Sequence, residues 1–388
     1  MILPKCHIDD AHADLYLIIS MQKIHYYITA HGYGHGVRSC DIVLALAAER
    51  PDLSVCVTTN LPEAFLRPRL KHPAVTLRSG GFDVGMAQKD SIRIDLDETL
   101  KRLERLRGTR RRLIENEAAF LRSSGASVVV CDIPAIPIEA AKMIGLPALA
   151  IGNFSWDWIY DMQQPSGGHW DGFARMFEEG YAQADALLRL PFSCPMPAFG
   201  KIMDMPMIAL PGRVDRERLA VLTGADPVRK WVLLSFTTLD WDSEALRKIE
   251  AIREYEFFSV LPLAWPGSRI RPVDPRSMSF PDLLASCDIV VTKPGFGILS
   301  DCVVNRKPMV YSERDHFAEF KYLATAIERH LVGVRITQET LYDGDIEAAL
   351  RTVEERSHEM DGSEPLPTGG AAAAAKVILD AIGLPLAD

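Results

Sequence analysis

The sequence predicts an α/β protein with two doubly wound, Rossmann-like domains that face each other across a cleft. The chain has 388 residues, which is long for one core and suits two domains of about 150 to 200 residues. In both halves short apolar runs alternate with amphipathic stretches, the pattern of βαβ units and a parallel sheet. Residues 195–213 are rich in Pro and Met, lack this periodicity, and therefore separate the halves.

The apolar runs predict strands, and the stretches between them predict helices. The first half has predicted strands at 24–30, 54–59, 127–132 and 147–153, and helices at 38–50, 97–122 and 137–144. The second half has predicted strands at 231–236, 257–262, 288–292 and 308–312. A last helix follows Thr368, a candidate N-cap, and ends before Gly383 and Pro385.

Four segments follow from this pattern. Met21 directly precedes the first convincing strand, so residues 1–20 are interpreted as an N-terminal extension. The two domains are predicted at 21–210 and 211–365, and the helix at 366–388 is expected to cross back to the first domain. The extension lacks a basic n-region and does not resemble a signal peptide.

The composition argues against several classes of function. A net charge of −9 disfavours nucleic acid as a partner, because broad contact with phosphates needs clustered Lys and Arg. The apolar runs are about 4 to 8 residues long, too short for an integral membrane segment. Arginines cluster at 101–112, where interleaved glutamates favour a solvated helix. A peripheral membrane contact through this cluster stays open as the alternative.

Cysteine usage bears on the compartment and on metal binding. The seven cysteines form no CxxC pair and no metal-ligand spacing, which favours reduced thiols in a cytoplasmic protein. We expect neither a metal nor another cofactor.

A glycine-rich loop at residues 29–38 follows the first predicted strand. Glycines alternate there, which lets the backbone approach a ligand closely, and the next helix offers unpaired N–H groups. Ligands bind open α/β sheets at this carboxyl end of the strands. His31 and His35 in this loop are therefore candidates for a base, a metal ligand or a backbone cap, although a metal would lack a nearby third ligand.

Two further segments end strands on the same edge of the first sheet. Asp132 closes a strand and suits a carboxylate that orients a catalytic imidazole, or one that caps the helix beyond Pro134. Trp156 and Asp157 follow the next strand, where an indole and a carboxylate suit the apolar face and the hydroxyls of a sugar. The alternative is that the tryptophan belongs to a core between the domains.

In the second half, residues 288–301 read as a strand, a Lys-Pro-Gly-x-Gly turn and a helix start. Lys293, Gly295 and Gly297 form this turn, and N–H groups with a helix dipole hold a phosphate in such an arrangement.

Three strings identify a resemblance to known proteins. They are HGYGHGVR (31–38), NFSWDWIY (153–160) and RLPFSCPMPAF (189–199). The first resembles the N-terminal loop of MurG-type glycosyltransferases and of plant-type UDP-glycosyltransferases. All three are similar to the glycosyltransferase-like N-terminal region of plant L-arabinokinase, over roughly residues 22–385. The kinase domain of those plant proteins has no counterpart in this sequence.

The resemblance implies a GT-B fold, with an acceptor in the first domain and a nucleotide-sugar donor in the second. The loop histidine of these families is the general base, which implies His35, with His31 as the alternative. Asp132 matches the aspartate that orients the base in the plant-type enzymes. We expect the acceptor beside Gly34, Trp156 and Asp157.

For the donor, the resemblance extends along the second domain. Gly295 and Asp301 match the glycine and the ribose-binding acid of MurG-type enzymes, with Asp in place of the usual Glu. The segment that contacts the donor sugar is matched by Asp315, His316 and Glu319, which differ from the family's paired glutamines. Phe280 lies where a uracil-type base would rest, and Ser235 and Thr237 stand where the family often has a glycine-rich phosphate loop.

The predicted reaction is metal-independent transfer of a sugar from a nucleotide diphosphate, UDP by preference, to an unknown acceptor. Two alternatives stay open. One is hydrolysis or epimerisation of the sugar-nucleotide on the same fold, and the other is a non-catalytic sugar-nucleotide sensor.

Overall fold

The computed structural model describes residues 22–163, 165, 169–358 and 366–383. The predicted extension at residues 1–20 lies outside this part of the chain. Within it, no helix combines the length and the apolar composition that crossing a membrane requires.

The first domain is a seven-stranded parallel sheet with helices on both faces. Its elements are β1 Lys23–Ile28, α1 Tyr33–Glu49, β2 Ser54–Thr59, α2 Glu63–Leu66, β3 Val75–Ser79, α3 Leu96–Ser124, β4 Val128–Asp132, α4 Ile136–Met143, β5 Ala148–Gly152, α5 Trp156–Asp161, α6 Trp170–Tyr181, β6 Ala186–Arg189 and β7 Ile202–Asp204. The strand order is β3-β2-β1-β4-β5-β6-β7, so the direction of winding reverses between β1 and β4. Ligands bind at such a switch point.

The second domain is a six-stranded parallel sheet of the same kind. Its elements are α7 Arg216–Thr223, β8 Lys230–Ser235, α8 Ser243–Ala251, β9 Tyr255–Val260, β10 Arg271–Val273, α9 Phe280–Ser286, β11 Ile289–Thr292, α10 Phe296–Val304, β12 Met309–Ser312, α11 Phe320–His330, β13 Gly333–Ile336, α12 Gln338–Tyr342 and α13 Glu347–Glu355. The order β10-β9-β8-β11-β12-β13 places the second switch point between β8 and β11. The predicted two-domain α/β architecture is confirmed.

The last helix, α14 Gly370–Ala381, packs on the first domain against α1. Ile378 and Leu379 are fully buried in one cluster with Ile42 and Val43 of α1. The predicted N-cap is wrong, because Gly369 caps the helix with a φ of 89°. Thr368 instead forms a parallel bridge with Met207, which ties the start of the helix to the segment between the sheets.

The sequence missed five strands: β3, β6, β7, β10 and β13. They are three to five residues long and several carry charged side chains, so their apolar runs are too short to stand out. The arginine-rich helix was predicted and spans Leu96–Ser124, with Asp95 as its side-chain cap. Ion pairs such as Arg102 with Glu98 and Arg111 with Glu115, both at 2.8 Å, stabilise its exposed face.

The interface between α14 and α1 leads to a prediction about stability. Replacing the fully buried Ile378 with Ala leaves a cavity, so Ile378→Ala should lower the free energy of unfolding by about 2 to 5 kcal/mol. Urea denaturation measures this change. The control Lys376→Ala, on the exposed face of the same helix, should stay close to the original protein. Equal stabilities for the two variants would contradict the observed packing.

Candidate active site

The histidine loop is shorter than predicted, because α1 begins at Tyr33 rather than near residue 38. Gly32 is its N-cap, with extended backbone and no capping side chain. Gly36 lets α1 pack closely on the following segment, since a Cβ there would lie 2.7 Å from the side chains of Leu61 and Phe65. His35 therefore lies in the first turn of a helix, where it is 8% exposed.

His35 is paired with Asp132, as the sequence predicted for an oriented base. The His35 Nδ1 and Asp132 Oδ1 atoms are 2.7 Å apart, and Asp132 is completely buried. Arg38 Nη2, which can only donate, lies 2.9 Å from the same Nδ1. The shorter contact is with Asp132, and an ionised carboxylate only accepts, so we assign the proton to Nδ1 and the lone pair to Nε2. The alternative role of Asp132 does not occur, because Ala135 is the N-cap of α4 without a side-chain cap.

Asp132 holds two further donors that the sequence analysis missed. Arg38 donates from Nε to Oδ2 at 2.7 Å and from Nη2 to Oδ1 at 2.6 Å, and the Ser39 hydroxyl donates to Oδ2 at 2.9 Å. Arg38 also donates to the Asn153 side chain, at the end of β5. The signal was present in the sequence, because residues three apart on a helix share a face and Arg38 follows His35 by three.

These contacts set the protonation states of the pair. Burial and the charge of Arg38 lower the pKa of His35, and the opposing effect of Asp132 is smaller. Burial alone would raise the pKa of Asp132, but the charges of Arg38 and His35 and their hydrogen bonds hold it well below its usual range. At neutral pH the site thus contains a neutral imidazole and an ionised carboxylate.

His31 has the opposite tautomer. Its Nδ1 accepts a hydrogen bond from the Met86 N–H at 3.3 Å, so the proton of the neutral ring lies on Nε2. Gly85 permits this contact, because its φ is 67° and a Cβ there would lie 2.5 Å from Nδ1. Burial and the neighbouring charges lower the pKa of His31 to about 3. His31 is therefore a neutral hydrogen-bond donor, which favours His35 over His31 as the base.

Trp156 and Asp157, the predicted acceptor residues at the start of α5, are both buried. Trp156 is 1% exposed, and its Nε1 donates to Asp83 at 2.9 Å. Asp157 is 5% exposed, and burial raises its pKa. The neighbouring Trp158 contacts Tyr322 of the second domain edge-on, at a centroid distance of 5.4 Å. This tryptophan segment thus contributes to packing between the domains, which was the alternative interpretation.

Two helix N-termini meet across the domain boundary. In the second domain Gly295 is the N-cap of α10, again extended and without a capping side chain. A Cβ on Gly297 would lie 3.7 Å from the Cα of Gly34 in the first turn of α1. The rings of Phe154 and Phe296 stack beside this contact at 6.0 Å. Both helix dipoles direct partial positive charge at the same space, which suits an anion.

Two residues that were predicted to bind the nucleotide-sugar, Lys293 before α10 and Asp301 on α10, have shifted pKa values. Burial and the charge of Arg314 lower the pKa of Lys293 to about 7. Burial, with a smaller contribution from Asp41 on α1, raises the pKa of Asp301 to about 7.

The other residues that were predicted to bind the nucleotide-sugar differ in how far they are exposed to solvent. The Ser235 carbonyl accepts from the Thr292 hydroxyl at 2.8 Å, and Thr237 is exposed in the loop after β8. Asp315 and His316 are exposed, whereas burial raises the pKa of Glu319. Phe280 opens α9 and is partly buried.

Hydrogen bonds join the loops after β8 and β12 to the first domain. Ser91 Oγ accepts from the Thr238 N–H at 3.0 Å, and Gln163 Nε2 donates to the His316 carbonyl at 2.8 Å.

Comparison with known protein sequences gives one relative of interest. The chain is 28% identical over 334 residues to L-arabinokinase of Arabidopsis thaliana, which is 82% of this chain and 31% of that protein. It therefore spans about a third of the relative's length. No family model matches the sequence.

Comparison with solved structures establishes the fold. The glycosyltransferase of kitacinnamycin matches with a TM-score of 0.59 and 13% identity, over 94% of this chain and 99% of that one. Medicago truncatula UGT71G1, complexed with UDP-glucose, matches with a TM-score of 0.59 and 12% identity over 94% and 99%. Arabidopsis thaliana UGT89C1, complexed with quercetin, matches with a TM-score of 0.61 and 12% identity over 93% and 99%. The chain has the GT-B fold.

The network around Asp132 leads to a prediction about titration. Arg38→Gln removes the positive charge beside His35, so the pKa of His35 should rise. NMR titration of the imidazole carbons measures the midpoint. Arg67→Gln, an exposed arginine of the same domain, is the charge-matched control and should leave it unchanged. A midpoint that falls or stays constant in Arg38→Gln would contradict the assigned electrostatics.

Proposed function

We propose that the protein is a glycosyltransferase that moves a sugar from a nucleotide diphosphate, UDP by preference, to an acceptor hydroxyl. The observation that carries this proposal is the buried pair of His35 and Asp132 at a sheet switch point, facing the N-terminus of α10. The solved structures that share the fold include complexes with UDP, UDP-glucose and quercetin. The resemblance of the two glycine-rich loops to MurG-type and plant-type enzymes supports the same reaction.

His35 acts as the general base in this proposal. Its Nε2 takes the proton of the acceptor hydroxyl while the acceptor oxygen forms a bond to the sugar C1 and the bond from C1 to the diphosphate breaks. Asp132 keeps the Nδ1 proton in place and stabilises the imidazolium that forms. Because burial and Arg38 lower the pKa of His35, the base is already neutral at cellular pH.

The departing diphosphate is stabilised by the turn before α10. The free N–H groups of Gly295 and Gly297 and the helix dipole supply fixed positive charge without reorganisation. Lys293 adds a cation, and we therefore propose that transfer needs no metal. Asp301 is proposed to bind the ribose hydroxyls and Phe280 the base.

The remaining assignments concern the two sugars. We propose that Asp315, His316 and Glu319 contact the donor sugar, and that Ser235 and Thr237 line the phosphate side. The acceptor is placed between Gly34 and the Trp156–Asp157 segment. The relative named L-arabinokinase acts, by its name, on a sugar. Among the residues that the structure describes, six cysteines are free and buried, which fits the proposed cytoplasmic location.

One observation favours a second candidate, a sugar-nucleotide hydrolase that uses the same site. His35 is 8% exposed, and Trp156 and Asp157, where the acceptor was expected, are also buried. Water is small enough to reach a base in such a site. UDP release from UDP-sugars, measured with and without candidate acceptors, separates the two: release that requires an acceptor supports transfer, and release without one supports hydrolysis.

Removal of the base is the direct test of the mechanism. His35→Ala should reduce the rate of sugar transfer by at least about a hundred-fold, the usual contribution of a general base, with UDP affinity nearly unchanged. Transfer is followed as released UDP, and affinity by calorimetry. His358→Ala, at an exposed position of the second domain, should behave like the original protein. Transfer that survives in His35→Ala would exclude His35 as the base.

The ribose assignment has a separate test. Asp301→Ala should lower the affinity for UDP by about ten- to a hundred-fold at pH 8, since a hydrogen bond to a charged group is lost. The affinity for 2′-deoxy-UDP should fall less, so the preference for ribose shrinks. Asp380→Ala, on the exposed face of α14, serves as the control. An unchanged ratio between the two nucleotides would reject this role of Asp301.

A further inference from the structure

Arg314, directly after β12, is a buried cation with unused hydrogen-bonding capacity. It is 8% exposed, and its Nε has no partner among the described residues. Its Nη1 donates to the Pro294 carbonyl at 3.4 Å, and the guanidinium lies 3.0 Å from the centroid of the Phe317 ring. Burying a charged group without partners is costly, so the buried, unsatisfied guanidinium N–H of Arg314 suits an anionic acceptor.

Lys293 lies in the turn between β11 and α10, directly before Pro294. Among the described residues it forms no ion pair with a carboxylate. Arg314 donates to the carbonyl of Pro294, the residue after Lys293, so the two cations lie on adjacent segments. After burial, the charge of Arg314 is the largest contribution to the lowered pKa of Lys293. Glu319 and Asp90 are the acids that act on both, but Asp90 is already bound by Arg93 at 2.7 Å. The two cations are thus incompletely neutralised.

His31 brings a third donor from the other domain. Its Nδ1 is occupied by the Met86 N–H, so Nε2 presents the proton. His31 precedes Gly34 in the histidine loop, and a Cβ on Gly297 would lie 3.7 Å from the Cα of Gly34, so this loop and the turn that contains Lys293 are adjacent. In agreement with this arrangement, the charges of Lys293 and Arg314 contribute to the lowered pKa of His31. Three donors therefore meet at the domain boundary.

We propose that His31, Lys293 and Arg314 form a cradle across the domain boundary for an anionic oxygen group of the donor. This inference rests on the proposed function. Because β12 neighbours β11 in the sheet, the cradle lies beside the N-terminus of α10, toward β12. The group it receives is either the distal phosphate of the nucleotide diphosphate or a carboxylate on the donor sugar. Both are planar or tetrahedral oxyanions that suit an arginine fork.

The cradle also links binding to the relative position of the domains. Arg314 and Lys293 belong to the second domain, whereas His31 belongs to the first. An anion bound to all three therefore holds the two domains together. It also positions His35, which lies four residues after His31 in the first turn of α1, against the bound donor.

Arg314→Gln is the primary test, with UDP and UMP as probes in calorimetry on the full chain. If the cradle binds the distal phosphate, UDP affinity should fall by about ten- to a hundred-fold while UMP affinity stays within about two-fold. If it binds a sugar carboxylate, UDP affinity should stay constant, and the affinity for UDP-glucuronate should fall relative to that for UDP-glucose. Either result supports the cradle and identifies the anion.

Companion variants keep the test decisive if Arg314→Gln does not fold. Arg314→Lys keeps the positive charge but removes the planar guanidinium, and Lys293→Met removes the second cation. Each variant should show the same selective loss of affinity as Arg314→Gln, but a smaller one. His31→Phe, in the other domain, should do so as well, because its ring lacks the Nε2 proton. Arg247→Gln, an exposed arginine of α8, is the matched control and should bind every probe like the original protein.

Two results would overturn the inference. One is unchanged affinity for all four probes in the folded variants, and the other is an equal loss for UMP and UDP, which indicates general damage to the site. Nucleotide binding by the original protein separates this failure from that of the proposed function. If the original protein binds the nucleotides and the folded variants bind all four probes equally well, only the cradle is wrong; if the original protein binds no nucleotide, the proposed function fails first.

Discussion

The buried carboxylate of Asp132 is the group on which the arrangement of the site depends. The register of β1 and β4 pairs Ile28 with Asp132, so the sheet itself places this side chain beside the loop that follows β1. A fully buried charge is stable only with partners, and His35, Arg38 and Ser39 on α1 provide them. These bonds anchor the first turn of α1 and determine which nitrogen of His35 faces the cleft.

The contact between the two domains depends on the same hydrogen bonds to Asp132. With its start held by Asp132, α1 directs its N-terminus at that of α10, and glycines in both first turns allow the backbones to approach closely. Two helix ends and nearby cations then concentrate positive potential in a protein whose net charge is −9. Overall acidity and a local anion site are compatible, because the site depends on a few fixed dipoles and side chains.

Much of the fold, and part of the candidate site, was predictable from the sequence. Periodicity predicted the longer strands and the arginine-rich helix, and strand ends identified Asp132 and the histidine loop. The short edge strands were missed because three to five residues carry little periodic signal. Arg38 and Arg314 were missed because an arginine beside a motif has the appearance of an ordinary surface cation until its burial is known. The early start of α1 was missed because glycines usually indicate a loop.

By itself, the sequence determined the order of elements, the two glycine-rich turns and the residue types available at the strand ends. These features depend on local periodicity and turn chemistry, which a single chain segment carries. Only the tertiary structure decided that His35 keeps a free Nε2 lone pair while His31 presents an N–H. The difference lies in the partner of each Nδ1, Asp132 in one case and the Met86 N–H in the other. Those partners are 97 and 55 residues distant along the chain, so only folding brings them together.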